Sequence, residues 1–241
     1  MIPRAVTFDF WNTLYADGGS PVDAIVERRL LILRGALAAC GGAANDEELA
    51  DASRSGFSAY LQAWEQGRHF GAREQVSHVI GHFGVVCLPE VRDEAAFAIE
   101  EIGREAELRL LPGVRETIPR LARSGVRLGL ISDTGLTPGR ILRRFLEQDG
   151  LLQYFGALTF SDETGFPKPD ERMFRGTLAK LDAEPAEAAH VGDTPRTDIA
   201  GARGVGMAAV RFAGARDDEA LPEADAVICD HRELLEALAK V

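Results

Sequence analysis

The chain has 241 residues, 46% hydrophobic and 27% charged, which suits a soluble globular protein of one main domain plus an elaboration. Its formal charge of −11 argues against a nucleic-acid partner, because a phosphate backbone requires a basic footprint. An anionic small molecule stays open, since a metal ion and one lysine can invert the field locally.

The first element is a short apolar strand, Val6-Thr7-Phe8, that ends on Asp9 and runs at once into the polar turn around Asn12 and Thr13. A buried strand-end aspartate is costly unless it is paired, metal-bound or used as a nucleophile. From residue 16 to residue 110 the pattern is helical. Val22, Ile25, Val26, Leu30, Leu33 and Leu37 recur at helical spacing until Gly41-Gly42. Asp46 is the expected N-cap of a second helix bearing Leu49, Phe57, Tyr60, Leu61 and Trp64, whose aromatic residues read as bundle core. Val76, Val79, Ile80 and Phe83 mark a third helix, and Val91, Ala95, Ala98 and Ile102 a fourth that begins after Pro89. Four such helices predict a small antiparallel bundle.

After Leu111-Pro112-Gly113 strands alternate with helices. Strands are expected at 126–131, 157–160, 188–191, 207–210 and 226–228, and helices at about 113–124, 137–148, 170–182, 196–204 and 231–240. The alternation predicts an α/β fold with a doubly wound, Rossmann-like parallel sheet. Residues 1–15 and 111–241 would form this core, with residues 16–110 inserted as an all-helical cap. Asp9, Ser132 and Asp193 each fall just past a strand's carboxyl end, the edge where open α/β sheets bind ligands. The inserted helices would cover that edge as a lid.

No run approaches the roughly 18 apolar residues of a membrane span, and Met1-Ile2-Pro3-Arg4 lacks a signal-peptide pattern. Cys40, Cys87 and Cys229 are odd in number and lack CxxC spacing, so they read as buried or inert thiols in a reducing compartment. A cytoplasmic protein is expected, with its oligomeric state unreadable.

Four motifs lie in order: Asp9 in DFWNTL, Ser132 in LGLISDTG, Lys168 in GFPKPDERMF, and Asp193 with Asp198 in HVGDTPRTDIAGA. Order and spacing resemble the haloacid dehalogenase superfamily of hydrolases, in the subgroup whose helical cap follows the first motif. The resemblance implies that Asp9 attacks phosphorus to form an aspartyl-phosphate. Asn12, Thr13, Ser132, the backbone beside it at Asp133, and Lys168 would hold the phosphoryl group. Asp9, Asp193 and the Trp11 backbone carbonyl would bind Mg²⁺, with Asp198 orienting a metal-bound water from behind. Pro167 and Pro169 would stiffen the backbone that presents Lys168.

Two positions depart from the family pattern. Its phosphatases carry an aspartate two residues after the nucleophile, which protonates the leaving oxygen and then activates water against the aspartyl-phosphate, and here that residue is Trp11, a neutral donor only that can do neither. Proton transfer of this kind is worth about 10²–10⁴-fold in rate. Asp133 stands where asparagine is frequent and would repel phosphate if it faced the site. Three readings follow: a Mg²⁺-dependent phosphatase acting on a small phosphorylated metabolite, a 2-haloacid dehalogenase-like hydrolase attacking carbon, and a non-catalytic metal-binding protein. The retained Asp193 and Asp198 favour the first over the second. The second would need a cap arginine for the substrate carboxylate, with Arg28, Arg29 and Arg34 as candidates. His69, His78, His82, His190 and His231 show no ligand spacing.

Overall fold

Short apolar runs ending in polar turns become the strands of a six-stranded sheet in the computed structural model, which describes residues 2–241. The strands are β1 (Ala5–Phe8), β4 (Arg127–Ser132), β5 (Phe155–Phe160), β6 (Ala188–Gly192), β7 (Ala208–Phe212) and β8 (Ala226–Ile228). Their order across the sheet is β5-β4-β1-β6-β7-β8, and every pairing is parallel. All four β1 residues and all five β6 residues are buried, as expected of central strands covered on both faces. One face packs Phe8, Leu128 and Val191 against α5 (Val114–Arg123), α6 (Gly139–Gln148) and α10 (Leu234–Leu238). The other packs Ala5, Ile131 and Ala209 against α8 (Glu171–Lys180) and α9 (Ala200–Val205). A single turn, α7 (Ser161–Thr164), follows β5.

Two three-residue strands were not legible in the sequence. β2 (Tyr15–Asp17) and β3 (Leu108–Leu110) pair antiparallel, Tyr15 against Leu110, and bracket the helical insertion. Between them run α1 (Val22–Ala39), α2 (Asp46–Glu65), α3 (Ala72–His82) and α4 (Pro89–Ile102), which share a separate apolar core around Leu37, Val79, Ile80 and Ile99.

Local chemistry moves several expected boundaries. Asn45, not Asp46, caps α2, because its side chain accepts from the Glu48 N–H while Glu48 reaches back to the Asn45 N–H. Helix α3 begins at Ala72, where Glu74 accepts from the Gly71 N–H. The segment expected as one helix at 196–204 divides into a π-turn at Pro195–Ile199 and α9. The last helix opens with a 3₁₀ turn at His231–Glu233. The thiols are not uniformly buried: Cys229 is exposed, and Cys40 and Cys87 are half-buried. Val22 and Val26 are exposed rather than packed in the bundle.

Candidate active site

The sheet register assembles the site. β1 lies between β4 and β6, with Phe8 opposite both Leu130 and Val191. Asp9, Ser132 and Asp193 therefore leave the carboxyl edge of three adjacent strands within two residues of one level. Because β4 and β6 flank β1 on opposite sides, the chain reverses its winding direction there, which opens a crevice at that edge. Asn12, at φ 55°, turns the chain immediately after Asp9 in a conformation that asparagine tolerates better than most residues. The Leu14 and Tyr15 N–H groups both donate to the Phe10 carbonyl, closing the turn.

Lys168 is the centre of the site. Its side chain is 2% exposed, and Nζ donates to Asp9 Oδ1 and Asp198 Oδ1, each at 2.6 Å. Burial opposes the ammonium charge, but Asp198 and Asp9 outweigh it and hold Lys168 protonated far above the ordinary lysine range. Burial also works against the Asp198 carboxylate, yet Lys168 and His190 keep it ionised below the usual range. Asp9 moves the other way: burial, with Asp198 and Asp193 beside it, pushes its pKa well up. Asp193 is pushed up to about 6 by burial and by Asp198, despite Arg216 Nη2 at 3.3 Å from its Oδ2.

One lysine thus faces three buried carboxylates, and ligand oxygens of Asp9, Asp193 and Asp198 lie within 4.8 Å of one another. Among the described residues no donor bonds Asp9 Oδ2 or the Trp11 carbonyl. Hard oxygen ligands with an uncompensated negative charge fit a divalent cation such as Mg²⁺, which would reverse the upward shifts of Asp9 and Asp193.

The other sequence-predicted residues are near but differently engaged. Thr13 is fully buried with Oγ1 lacking a partner, so it has a free hydrogen bond to offer a ligand oxygen. Ser132 is fully buried, and its hydroxyl makes only a local bond to the Asp133 carbonyl at 3.1 Å. Asp133 does not present a bare carboxylate to the site. Its Oδ1 accepts from the Lys168 N–H at 2.8 Å and its Oδ2 from Trp64 Nε1, across in α2, at 2.9 Å. Asp198 is pinned from three sides by Lys168, the His190 ring and the Thr194 N–H.

Two histidines belong to the site's support. His190 is fully buried, with Nε2 3.1 Å from Asp198 Oδ1 and Nδ1 2.8 Å from Thr7 Oγ1. Asp198 can only accept, which assigns the proton to Nε2 and makes Thr7 the donor to Nδ1. Burial depresses the His190 pKa and keeps the ring neutral. His231 donates from Nε2 to the Thr13 carbonyl at 2.7 Å and stacks on Phe212. Ligand spacing missed both. A charged-capable residue in the middle of an apolar strand is the signal that marks His190.

The aromatic residues of α2 are not bundle core. Phe57 and Tyr60, together with Val22 and Val26 from α1, line a cavity of about 870 Å³ between the helical insertion and the core. Its core-side wall is Trp11, two residues past Asp9, and the Gly135–Thr137 loop that follows Asp133. Trp64 spans the same junction, with the Arg196 guanidinium 4.0 Å from its ring centre. Of the three arginines singled out in the sequence, Arg28 pairs with Glu105 and Arg34 with Asp46 at the surface, and only Arg29 lines the cavity.

A doubly wound parallel sheet with a buried Asp–Lys–Asp cluster at its carboxyl edge defines an α/β protein whose ligand site is built on a strand-end carboxylate. Residues 3–206 match the model of the haloacid dehalogenase-like hydrolases, and the chain belongs to that family. A ribulose-1,5-bisphosphate 5-phosphatase of Halopiger xanaduensis is 39% identical over 119 residues, 49% of this chain and 48% of the relative. A phosphoserine phosphatase of Thermus thermophilus is 37% identical over 47% of this chain and 46% of its own length. The chain spans about half the length of these curated relatives. Among solved structures, a 2-haloacid dehalogenase from Pseudomonas syringae pv. Tomato superposes with TM-score 0.68 at 27% identity, covering 100% of this chain and 99% of that one. A HAD phosphatase from Thermococcus onnurineus, 24% identical over 98% of both chains with TM-score 0.66, shares the fold.

Proposed function

We propose that the protein is a Mg²⁺-dependent phosphomonoester hydrolase working through an aspartyl-phosphate on Asp9. The observation that carries this reading is the buried lysine shared by Asp9 and Asp198, with Asp193 left short of positive charge. Lys168 holds Asp9 Oδ1, so Oδ2 is the oxygen free to attack. The Asp9–phosphorus bond forms as the bond to the leaving oxygen breaks, and that oxygen takes its proton from water because Trp11 has none to give. Water then attacks phosphorus and returns Asp9 as a carboxylate. Lys168, Ser132, Thr13 and the Asp133 N–H serve the transferring oxygens, whereas the Asn12 N–H, expected to join them, is given to the Tyr15 carbonyl at 2.6 Å. Asp9, Asp193 and the Trp11 carbonyl would hold Mg²⁺, which supplies charge neutralisation at the phosphoryl group. Asp198 positions Lys168 and is itself fixed by neutral His190.

The helical insertion, residues 16–110, acts as a cap over this edge, and the substrate is a small phosphorylated molecule handled in the cytoplasm. Phosphatase names among the relatives support the reaction type. No helix among the described residues is long and apolar enough to cross a membrane.

A second reading, hydrolysis of a carbon–halogen bond by Asp9, is favoured by Trp11 and by the likeness to the Pseudomonas dehalogenase. One assay separates the two. Phosphate release from p-nitrophenyl phosphate and halide release from 2-chloropropionate are measured with Mg²⁺ and with chelator, using Asp9→Asn as blank. Phosphate release that requires both Asp9 and Mg²⁺ is the expected result. Halide release indifferent to chelator would replace it with the second reading. Silence in both arms, with Mg²⁺ still raising the melting temperature, would leave a metal-binding protein without this activity.

A further inference from the structure

The cavity beside Trp11 has a character of its own. Trp11, Leu30, Phe57, Tyr60, Phe70 and Leu136 give it a largely apolar wall. Its charged residues are Arg29 and Arg54, and no aspartate or glutamate lines it among the described residues. In a chain with 38 acidic and 27 basic side chains, that is a local inversion of sign. Arg54 is occupied by Asp51 one turn away. Arg29 makes no ion pair among the described residues, and its buried Nε meets no hydrogen-bond partner. Burial works against its charge, yet a guanidinium stays protonated in proteins, so Arg29 is an expensive cation awaiting an anion.

Size and chemistry add two constraints. At about 30 Å³ per water in the liquid, roughly thirty waters would occupy 870 Å³, far more space than a three-carbon leaving group fills. The site also lacks a proton donor at Trp11, so the leaving oxygen must depart unassisted. A phenolic oxygen, with a pKa of about 10, manages that far better than an alkoxide. The substitution that removes the acid also adds indole surface to the cavity wall.

We propose that the cavity selects aryl phosphate monoesters whose ring body ends in a carboxylate, with the rings against the apolar wall and the carboxylate on Arg29. This assignment rests on the phosphatase reading for the bond broken, but the cavity's preference can be read without turnover. The reaction balances as aryl phosphate plus water giving phenol and inorganic phosphate.

The test uses the full chain, one carboxylate ligand and three phosphate esters. Calorimetry with 6-hydroxy-2-naphthoate, the product of one such ester, is run on wild type, Asp9→Asn, Arg29→Met, Arg29→Lys and the surface control Arg28→Met. Tight binding to wild type, Asp9→Asn and Arg28→Met is expected, with a loss of ~10–100-fold in Arg29→Met and partial recovery in Arg29→Lys, the range of one charge-assisted hydrogen bond. Turnover of 6-phosphonooxy-2-naphthoate is then compared with 2-naphthyl phosphate and glyceraldehyde 3-phosphate. The carboxylate ester should lead, and Arg29→Met should raise its KM by the same factor while kcat stays within about threefold; 2-naphthyl phosphate should not respond to the substitution. Equal binding of the naphthoate to wild type and Arg29→Met, or none to either, overturns the assignment whatever the turnover. Arg29-dependent binding with no phosphate release from any ester supports the anion anchor and instead refutes the phosphatase reading.

Discussion

Replacing Lys168 with methionine tests the electrostatics of the site at its hinge. The methionine keeps most of the buried volume but removes the one cation that bonds Asp9 and Asp198 among the described residues, both contacts at 2.6 Å. Each contact is worth about 6 kcal/mol in gross Coulomb energy at an effective dielectric near 20. Desolvation of the buried charges cancels most of that, and breaking a buried pair from one side costs about 3–5 kcal/mol net. The loss must also depend on pH. In the wild type Lys168 holds Asp198 below the usual carboxylate range, so its contribution is present above the unfolded pKa near 4. In Lys168→Met the same carboxylate sits among Asp9 and Asp193 with no cation bonded to it and only the half-exposed Arg216 on the far side of Asp193, so its folded pKa rises above the unfolded value. Its folded state then binds the extra proton, and stability recovers as pH falls. Denaturant unfolding in chelator at pH 7.5 and pH 5 measures this. The gap between wild type and variant should be about 3–5 kcal/mol at pH 7.5 and smaller by at least about 1 kcal/mol at pH 5. A gap below about 1 kcal/mol at pH 7.5, or one that ignores pH, would refute the charge balance described for the cluster.

Three other perturbations probe separate parts. His231 is pushed down to about 4 by burial, so its neutral form contributes fully above the unfolded pKa of 6.5 and the contribution drains away as pH falls toward 4. The wild type should lose about 3 kcal/mol more than His231→Gln over that window in pH-dependent unfolding; parallel curves would contradict the assignment. Gly192→Ala would place a Cβ 2.3 Å from the Asp198 Cγ, a side chain held by three partners and unable to yield, so a loss of about 1–3 kcal/mol in unfolding free energy is expected. Trp11→Asp should raise turnover of alkyl phosphates by ~10²-fold or more, because it supplies the acid that poor leaving groups need, and should also raise turnover of aryl phosphates, because it supplies the base for the slow hydrolysis of the aspartyl-phosphate; no gain on either would show that proton transfer at this position limits neither step.

The sheet was legible because its strands are short apolar runs ending in polar turns, and the site because Asp9, Ser132 and Asp193 keep fixed places at those ends and Lys168 sits between two prolines just before α8. What escaped the sequence shares a physical cause. β2 and β3 are three residues each, too short for any alternation to register. Periodicity gave Val22, Val26, Phe57 and Tyr60 the right helices but not the right surroundings, because an apolar stripe looks the same whether it meets another helix or a cavity. Asp133 looked repulsive because a sequence does not show that the Lys168 N–H and Trp64 close around it. His190 went unnoticed because its role depends on Thr7 and Asp198, and the strand pairing that places Thr7 opposite it is a tertiary fact.

The central claim is that Asp9 becomes phosphorylated, and Trp11 makes that directly observable. With p-nitrophenyl phosphate the leaving group needs no acid, whereas hydrolysis of the aspartyl-phosphate proceeds without the usual base, so the second step should be the slow one. Rapid mixing with Mg²⁺ should give a burst of nitrophenol approaching one per enzyme, and acid quenching during the burst should yield protein heavier by one phosphoryl group, mapped to Asp9 and absent from Asp9→Asn. Steady release of nitrophenol with no adduct, or an adduct that persists in Asp9→Asn, would contradict the account.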